Sequence, residues 1–266
     1  MNIGFIGGGN MAEAIISAVL REKLASTGQI TVSDIAETRR TYVETKYRVN
    51  VTPENKQVLP NKDVIVLAIK PQTLNDVMAG IKGLIRPEQL VISIIAGKGI
   101  STISAGLNHS CIVRSMPNTP AQIGEGMTVW TATPQVNAAQ KKMAASLLGA
   151  MGAEVYADDE KYLDMATAVS GSGPAYVFLF VESLISAAEK LGFTPEVSQK
   201  LVMQTLLGAS HLLQKSGKTP QELRRMVTSP GGTTAEAIAT FEQGGFSDLI
   251  SKAVAAAHEK AKKLGS

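Results

Sequence analysis

The residues best placed to do chemistry lie late in the chain, in Thr228-Ser229-Pro230-Gly231-Gly232-Thr233-Thr234-Ala235-Glu236. Pro230 fixes φ and lacks an N–H, while Gly231 and Gly232 open backbone angles closed to other residues and let a ligand reach the main chain. Thr233, followed three residues later by Glu236, has the pattern of a capping box with Thr233 as the N-cap of a helix. Such a start presents unpaired N–H groups and the positive end of a helix dipole, where a carboxylate can be held. An ordinary loop before a capped helix has the same sequence, so the meaning of the stretch depends on what the rest of the chain supplies.

A second group of candidates opens the chain. Asn2–Ile6 reads as a short apolar strand running into Gly7-Gly8-Gly9-Asn10-Met11-Ala12 and then an amphipathic run to about Leu24. The pattern is G-x-G-x-x-A, with Gly7 for the tight turn, Gly9 for close approach of a pyrophosphate and Ala12 for packing of helix on strand. Strand, turn and helix in this order are the context that dinucleotide binding requires. Asp34 follows the second strand, Ile30–Ser33, where a carboxylate bonds the adenosine ribose hydroxyls and favours NAD. Arg39 and Arg40 come next; they could meet a 2′-phosphate, although solvated helix residues are the favoured reading. The choice between NADH and NADPH stays open.

Acid–base residues are scarce. The three histidines, His109, His211 and His258, are far apart, with no metal-ligand spacing, and read as structural or solvated. Lys70 stands at a strand end, positioned for the nucleotide or for solvent. A site this sparsely equipped suits a substrate that is already reactive. A cyclic imine accepts hydride once protonated, so the protein mainly has to hold it against the nicotinamide. Thr234 offers a hydroxyl to the ring nitrogen, and the glycine-rich helix start offers N–H groups to a carboxylate.

The elements that must position these residues fall into two sets. Apolar runs at Asp63–Ile69, Leu90–Ala96, Cys111–Met116, Met127–Ala132 and Glu154–Tyr156 read as strands, with a helix at about Val136–Met151. Thr52-Pro53-Glu54-Asn55 reads as an N-cap with proline at the first helical position. Strands alternating with helices predict an α/β fold, a Rossmann-type doubly wound parallel sheet over residues 1–157 with ligands at the strand carboxyl ends. From residue 158 to 266 everything reads helical. Ala175–Leu191 is apolar nearly all round, which requires burial on most sides. A helical domain of this size has little room for that, so a subunit interface is expected.

Composition sets the outer limits. The chain has 266 residues, 44% hydrophobic and 18% charged, with a net charge of +3 that is too small and scattered to argue for nucleic acid. One cysteine excludes an intrachain disulfide and fits a reducing compartment. No 18-residue apolar stretch suggests a membrane span, and Met1 leads into a strand without a basic region, so neither membrane nor signal peptide is expected and the cytoplasm is the default.

Five motifs together carry a resemblance. Gly4-Phe5-Ile6-Gly7-Gly8-Gly9-Asn10-Met11, Ala68-Ile69-Lys70-Pro71, Met116-Pro117-Asn118-Thr119-Pro120, Ser170-Gly171-Ser172-Gly173-Pro174-Ala175-Tyr176 and Ser229-Pro230-Gly231-Gly232-Thr233-Thr234 occur in the order and spacing of the pyrroline-5-carboxylate reductases. The chain resembles that family throughout. The resemblance implies reduction of 1-pyrroline-5-carboxylate to L-proline with NADPH or NADH, the last step of proline biosynthesis. It implies a Rossmann domain and an all-helical dimerisation domain, with homodimers that can gather into decamers. It places the cofactor against Ile6, Gly7, Gly8, Gly9, Asn10 and Met11, near Asp34 and Asn55, and along Ala68, Ile69, Lys70, Pro71 and Ala96. It places the substrate carboxylate at Gly231, Gly232, Thr233 and Thr234, with Thr234 as donor to the imine nitrogen, and Glu160 near the substrate.

Two rivals remain. A two-domain 3-hydroxyacid dehydrogenase shares the layout, but carries a catalytic lysine early on its first long helix, where Ala175–Leu191 has Tyr176, Phe178 and Phe180 and its lysine, Lys190, only near the far end. A nucleotide-sensing or assembly protein that kept the fold would be supported by a degraded Ser229–Thr234 stretch, but that stretch is intact.

Overall fold

The computed structural model describes residues 1–265. Four short apolar strands, β1 (Ile3–Ile6), β2 (Ile30–Ser33), β3 (Asn50–Thr52) and β4 (Val64–Leu67), are followed by β5 (Leu90–Ser93), β6 (Ile112–Met116), β7 (Gly126–Ala132) and β8 (Gly152–Tyr156). All eight lie in one sheet in the order β3-β2-β1-β4-β5-β6-β7-β8. Helices α1 (Asn10–Arg21), α2 (Glu37–Tyr47), α3 (Leu74–Ile81), α4 (Ile100–Leu107) and α5 (Ala138–Gly149) connect the strands.

The sheet is buried on both faces because alternate strand residues point opposite ways. Ile3, Phe5, Val64, Val66, Leu90 and Ile92 join Ile15, Ile16 and Val19 of α1 and Leu147 and Leu148 of α5 in one core. The intervening Ile6, Ile65, Leu67 and Val91 join Leu74, Met78 and Ile81 of α3 and Ile103 and Leu107 of α4 in the other. Every residue of β1, β4 and β5 is buried, which is why these strands read as unbroken apolar runs.

β1 to β6 form the expected doubly wound parallel set. β7 is antiparallel to β6, and β8 is parallel to β7. The connection from β6 to β7 holds only a 3₁₀ turn, Thr119–Ile123. A link that short can reverse a strand but cannot cross over the sheet to make a parallel one. One strand is added and one local expectation is corrected. β3 is an edge strand hidden in polar sequence, and Thr52 ends it rather than capping an α-helix: the Thr52 hydroxyl accepts the Glu54 N–H at 3.2 Å ahead of a 3₁₀ turn, Asn55–Val58.

After β8 come α6 (Lys161–Ala166), a π-helical turn at Thr167–Gly171, α7 (Gly173–Lys190), α8 (Pro195–Ser216), α9 (Pro220–Met226), α10 (Thr233–Gln243) and α11 (Phe246–Gly265). The chain forms two compact units, Met1–Pro174 with the stretch from Ala256 onward, and Ala175–Ala255. The strand pattern stops at Tyr156, but α6 and the π turn still pack on β6 and β7, so compactness extends past the last strand.

In the second unit the starts of α8 and α9 are those the sequence dictates. Thr194 accepts the Val197 N–H with Pro195 at the first helical position. Thr219 and Glu222 form a reciprocal capping box. The packing is sparse, however: among the described residues of this unit only Ser198 and Val202 are buried, and α7 buries none of its own. Phe178, Leu179, Leu191, Leu207, Val227 and Leu249 are all exposed by half or more. By length and composition alone, the continuous helical stretch Lys161–Lys190 could also cross a membrane.

Candidate functional site

The first group of candidates converges at the carboxyl ends of adjacent parallel strands. Ile6 pairs with Ser33 and Leu67, and Leu67 pairs with Ser93, so the residues just beyond lie side by side. Gly7 leaves β1 at φ +96°, donating its N–H to the Ser33 carbonyl at 2.8 Å. A Cβ there would lie 2.4 Å from the Ala68 oxygen, so only glycine makes this turn. Ala68 in turn donates to the Ile6 carbonyl, which ties the β4 end, Ala68 to Pro71, to the glycine loop. Lys70 is exposed and Pro71 opens a 3₁₀ turn. Ala96 follows β5 by three residues and is half-buried.

Gly9 is the N-cap of α1, and no side chain caps that helix. A Cβ on Gly9 would meet no described atom within 4 Å. Open space before the free N–H groups and positive dipole of a helix start is what a pyrophosphate needs. Asn10 and Met11 form the first turn of α1. The Asp34 carboxylate accepts the Gly8 N–H at 2.9 Å and the Ala36 N–H at 2.9 Å, fixing it beside the loop. The Ser33 hydroxyl donates to Asn55 Oδ1 at 2.7 Å, which brings Asn55 to the same edge. A dinucleotide therefore fits these residues.

The arginines expected to be solvated are engaged instead. The Arg39 guanidinium donates to the Gly8 carbonyl and, at 2.6 Å, to Glu13, and lies 4.8 Å over the Tyr42 ring. Arg40 donates to the Asp34 and Ile35 carbonyls at 2.8 and 3.0 Å. Glu13 also accepts from Lys46 at 2.7 Å, Tyr47 at 2.9 Å and Tyr42 at 3.0 Å. Burial raises the Glu13 pKa, but the hydrogen bonds from Lys46, Arg39, Tyr47 and Tyr42 outweigh it and bring the carboxyl to about 2. Single-sequence reading missed this cluster because its members are separated along the chain; the Glu in the first turn of α1 was the available signal.

Glu160 belongs to a second missed cluster. The Arg114 side chain, 6% exposed, donates to Glu160 at 2.8 Å and Asp164 at 2.9 Å. Glu160 also accepts the Ile100 N–H at 2.8 Å, at the start of α4. Its carboxylate is thus partly committed to holding α4 and α6 on β6. An arginine within the buried run Ile112–Met116 was the sequence signal.

The second group lies in the other compact unit. Gly232 donates to the Ser229 carbonyl at 3.1 Å, and Gly231 between them has φ +69°, the value a turn with proline in second position requires of its third residue. A Cβ at Gly232 would lie 2.6 Å from the Ser229 hydroxyl oxygen. Gly232, not Thr233, is the N-cap of α10, and no side chain caps it, so the expected Thr233–Glu236 capping box does not form. The turn carries the chain into the helix one residue early, placing Thr233 and Thr234 in its first turn. Thr233 is exposed and Thr234 half-buried. Ala235 and Glu236 donate to the Gly232 carbonyl at 3.0 and 3.3 Å, so without a side-chain cap it is the Thr233 and Thr234 N–H groups that face an incoming acceptor. His109, by contrast, is buried against the Gln89 carbonyl at 2.8 Å, and burial lowers its pKa.

A glycine turn feeding an uncapped helix, beside a strand-end carboxylate, defines a dinucleotide-binding protein of the oxidoreductase class. A family model described as pyrroline-5-carboxylate reductase dimerisation matches residues 160–264, and one described as NADP oxidoreductase, coenzyme F420-dependent, matches residues 2–97. The pyrroline-5-carboxylate reductase of Pseudomonas aeruginosa is 41% identical over 98% of this chain and 96% of its own. The solved pyrroline-5-carboxylate reductase of Coxiella burnetii covers 100% of this chain and 98% of its own at 38% identity and TM-score 0.92. That of Plasmodium falciparum, solved with NADP bound, covers the same shares at 33% identity and TM-score 0.90. The chain belongs to the pyrroline-5-carboxylate reductase family.

Proposed function

We propose that this protein reduces the C=N bond of 1-pyrroline-5-carboxylate to give L-proline, with NADPH or NADH, as the last step of proline biosynthesis. The observation that carries the reading is similarity over the full chain to enzymes of that name, from the glycine loop through the Ser229–Thr234 stretch. The dinucleotide, when bound, supplies the hydride. Ile6–Met11, Asp34, Asn55, Ala68–Pro71 and Ala96 hold it, with the α1 start facing the pyrophosphate. Gly231, Gly232 and Thr233 hold the substrate carboxylate at the start of α10, and the Thr234 hydroxyl donates to the ring nitrogen. Glu160 is a further residue assigned to the substrate.

The functional division runs between residues 1–157, for the nucleotide, and 158–266, for dimerisation and substrate. The exposed apolar helices of the second unit are covered by the same unit of a second copy in a homodimer, and dimers gather into decamers. A second copy, not a bilayer, covers α7, and nucleic acid is no partner. The enzyme works in the cytoplasm.

The test is oxidation of NADPH and NADH with 1-pyrroline-5-carboxylate, against a hydroxyacid panel run in reverse. Imine-dependent oxidation supports the reading; turnover confined to a hydroxyacid would replace it with the dehydrogenase.

A further inference from the structure

Coenzyme choice at this site rests on Asp34 in the simplest view, yet two arginines flank the same loop. A 2′-phosphate beside Asp34 brings additional negative charge to a carboxylate and needs a cation to offset it. Arg39 stands beside the same loop: a Cβ on Gly8 would lie 3.4 Å from Asp34 Oδ2 on one side and 3.6 Å from Arg39 Cγ on the other. The Arg39 head, however, is already engaged. Its Nη2 donates to Glu13 Oε2 at 2.6 Å, its Nε donates to the Gly8 carbonyl, and its plane covers Tyr42. Lys46, the other cation on this helix face, is drawn to the same Glu13 carboxylate, at 2.7 Å. Arg40 is occupied by the carbonyls of Asp34 and Ile35. Both acidic oxygens of Glu13 are used on α2, although Glu13 stands in the first turn of α1, where it could otherwise serve the helix start.

We infer that Glu13 is a positioning residue that sets coenzyme selectivity: by engaging Arg39 and Lys46 it withholds their charge from the ribose edge, leaving Asp34 to favour the 2′,3′-diol of NADH over a 2′-phosphomonoester. Asp34 supplies the repulsion, and Glu13 removes the cation that would answer it. A charge-assisted bond to phosphate is strong, so releasing Arg39 has a measurable effect on selectivity. The inference rests on the reading of Ile6–Met11 and Asp34 as the nucleotide site, and it does not depend on which imine is reduced.

The experiment measures binding of adenosine 2′,5′-bisphosphate against adenosine 5′-monophosphate by calorimetry, and kcat/KM for NADPH against NADH, in the full-length protein and its Glu13→Gln variant. The ratio in favour of the 2′-phosphorylated form should rise about tenfold or more. Adding Arg39→Met to Glu13→Gln should remove the guanidinium's share of the gain, and adding Lys46→Met as well should abolish it. An unchanged ratio in a folded Glu13→Gln protein overturns the inference. If that variant does not fold, Arg39→Met alone decides. It should affect both nucleotides equally, whereas a selective loss of the 2′-phosphorylated form would show that Arg39 already serves the phosphate. Nucleotide binding that shifts as expected in a protein without imine reduction would sink the proposed reaction and leave this inference standing.

Discussion

At the scale of single residues, the proposed reaction gives Thr234 the part of donor to the ring nitrogen. In that role a hydroxyl facing a nitrogen whose lone pair develops as the iminium takes hydride would act in the transition state more than in cofactor binding. Thr234→Ala should lower kcat/KM for the imine about a hundredfold while changing nucleotide affinity by less than about threefold. Thr234→Ser should recover most of the loss. Stopped-flow reduction and nucleotide titration check this, and parallel losses in both would remove Thr234 from the reaction. Residues of this kind were legible because turn chemistry is local: Gly7 and Gly231 announce positive φ, and Asp34 stands where a strand must end. Glu13 and Arg114 were not legible in the same way. Each is defined by partners far along the chain, and only the fold brings Arg39, Lys46, Glu160 and Asp164 to them.

At the scale of elements, the sheet was readable from unbroken apolar runs, because strands buried on both faces have no polar phase to obscure them. The reversal at β7 was not, since a strand's direction depends on the length of its connection rather than on its own residues. The start of α10 shows a second limit. Thr233 and Glu236 have capping-box spacing, but the Ser229–Gly232 turn delivers the chain to the helix at Gly232 and pre-empts the box. Thr219 and Glu222, with no such turn before them, form theirs. Arg114 joins three elements, β6, α4 and α6, through Glu160 and Asp164. Arg114→Met should therefore destabilise the first unit by about 2 kcal/mol, below the range for a fully dry pair because Glu160 is about one-third exposed. Urea unfolding measures it, and a loss within a few tenths of a kcal/mol would show that the cluster contributes little to stability.

At the scale of the whole molecule, the second unit has too little interior of its own. An apolar helix such as α7 was expected to be buried, and within one chain it is not. Apolar surface of this extent is stabilised by about 25 cal/mol for each Å² covered, so a second copy has a large driving force. Leu179→Glu, which places a charge on a residue 64% exposed in one chain, should split the assembly, seen as a fall in mass by light scattering. Retention of the full mass would move the interface away from α7. The Glu13 cluster gives a pH counterpart in the first unit. Glu13 is held at about 2, below its ordinary value of 4.5, so its stabilising contribution is complete above pH 4.5 and is lost as pH falls toward 2. Thermal melts of the protein and of Glu13→Gln should differ at neutral pH and converge toward pH 2.

The reversed strand also bears on how the chain finds its fold in time. Met116 faces Val129 across a short link, whereas Ile3 faces Val64 across the whole first βαβ unit and more. Closing a short loop costs less chain entropy than closing a long one, so pairings near in sequence form sooner. The β6–β7 ribbon is the natural seed of the sheet, and β1, the first of its strands along the chain, is placed late. In pulse-labelled hydrogen exchange, amides of Ile112–Met116 and Gly126–Ala132 should gain protection before those of Ile3–Ile6. The glycine loop would then acquire its shape only after the scaffold that holds it is already in place.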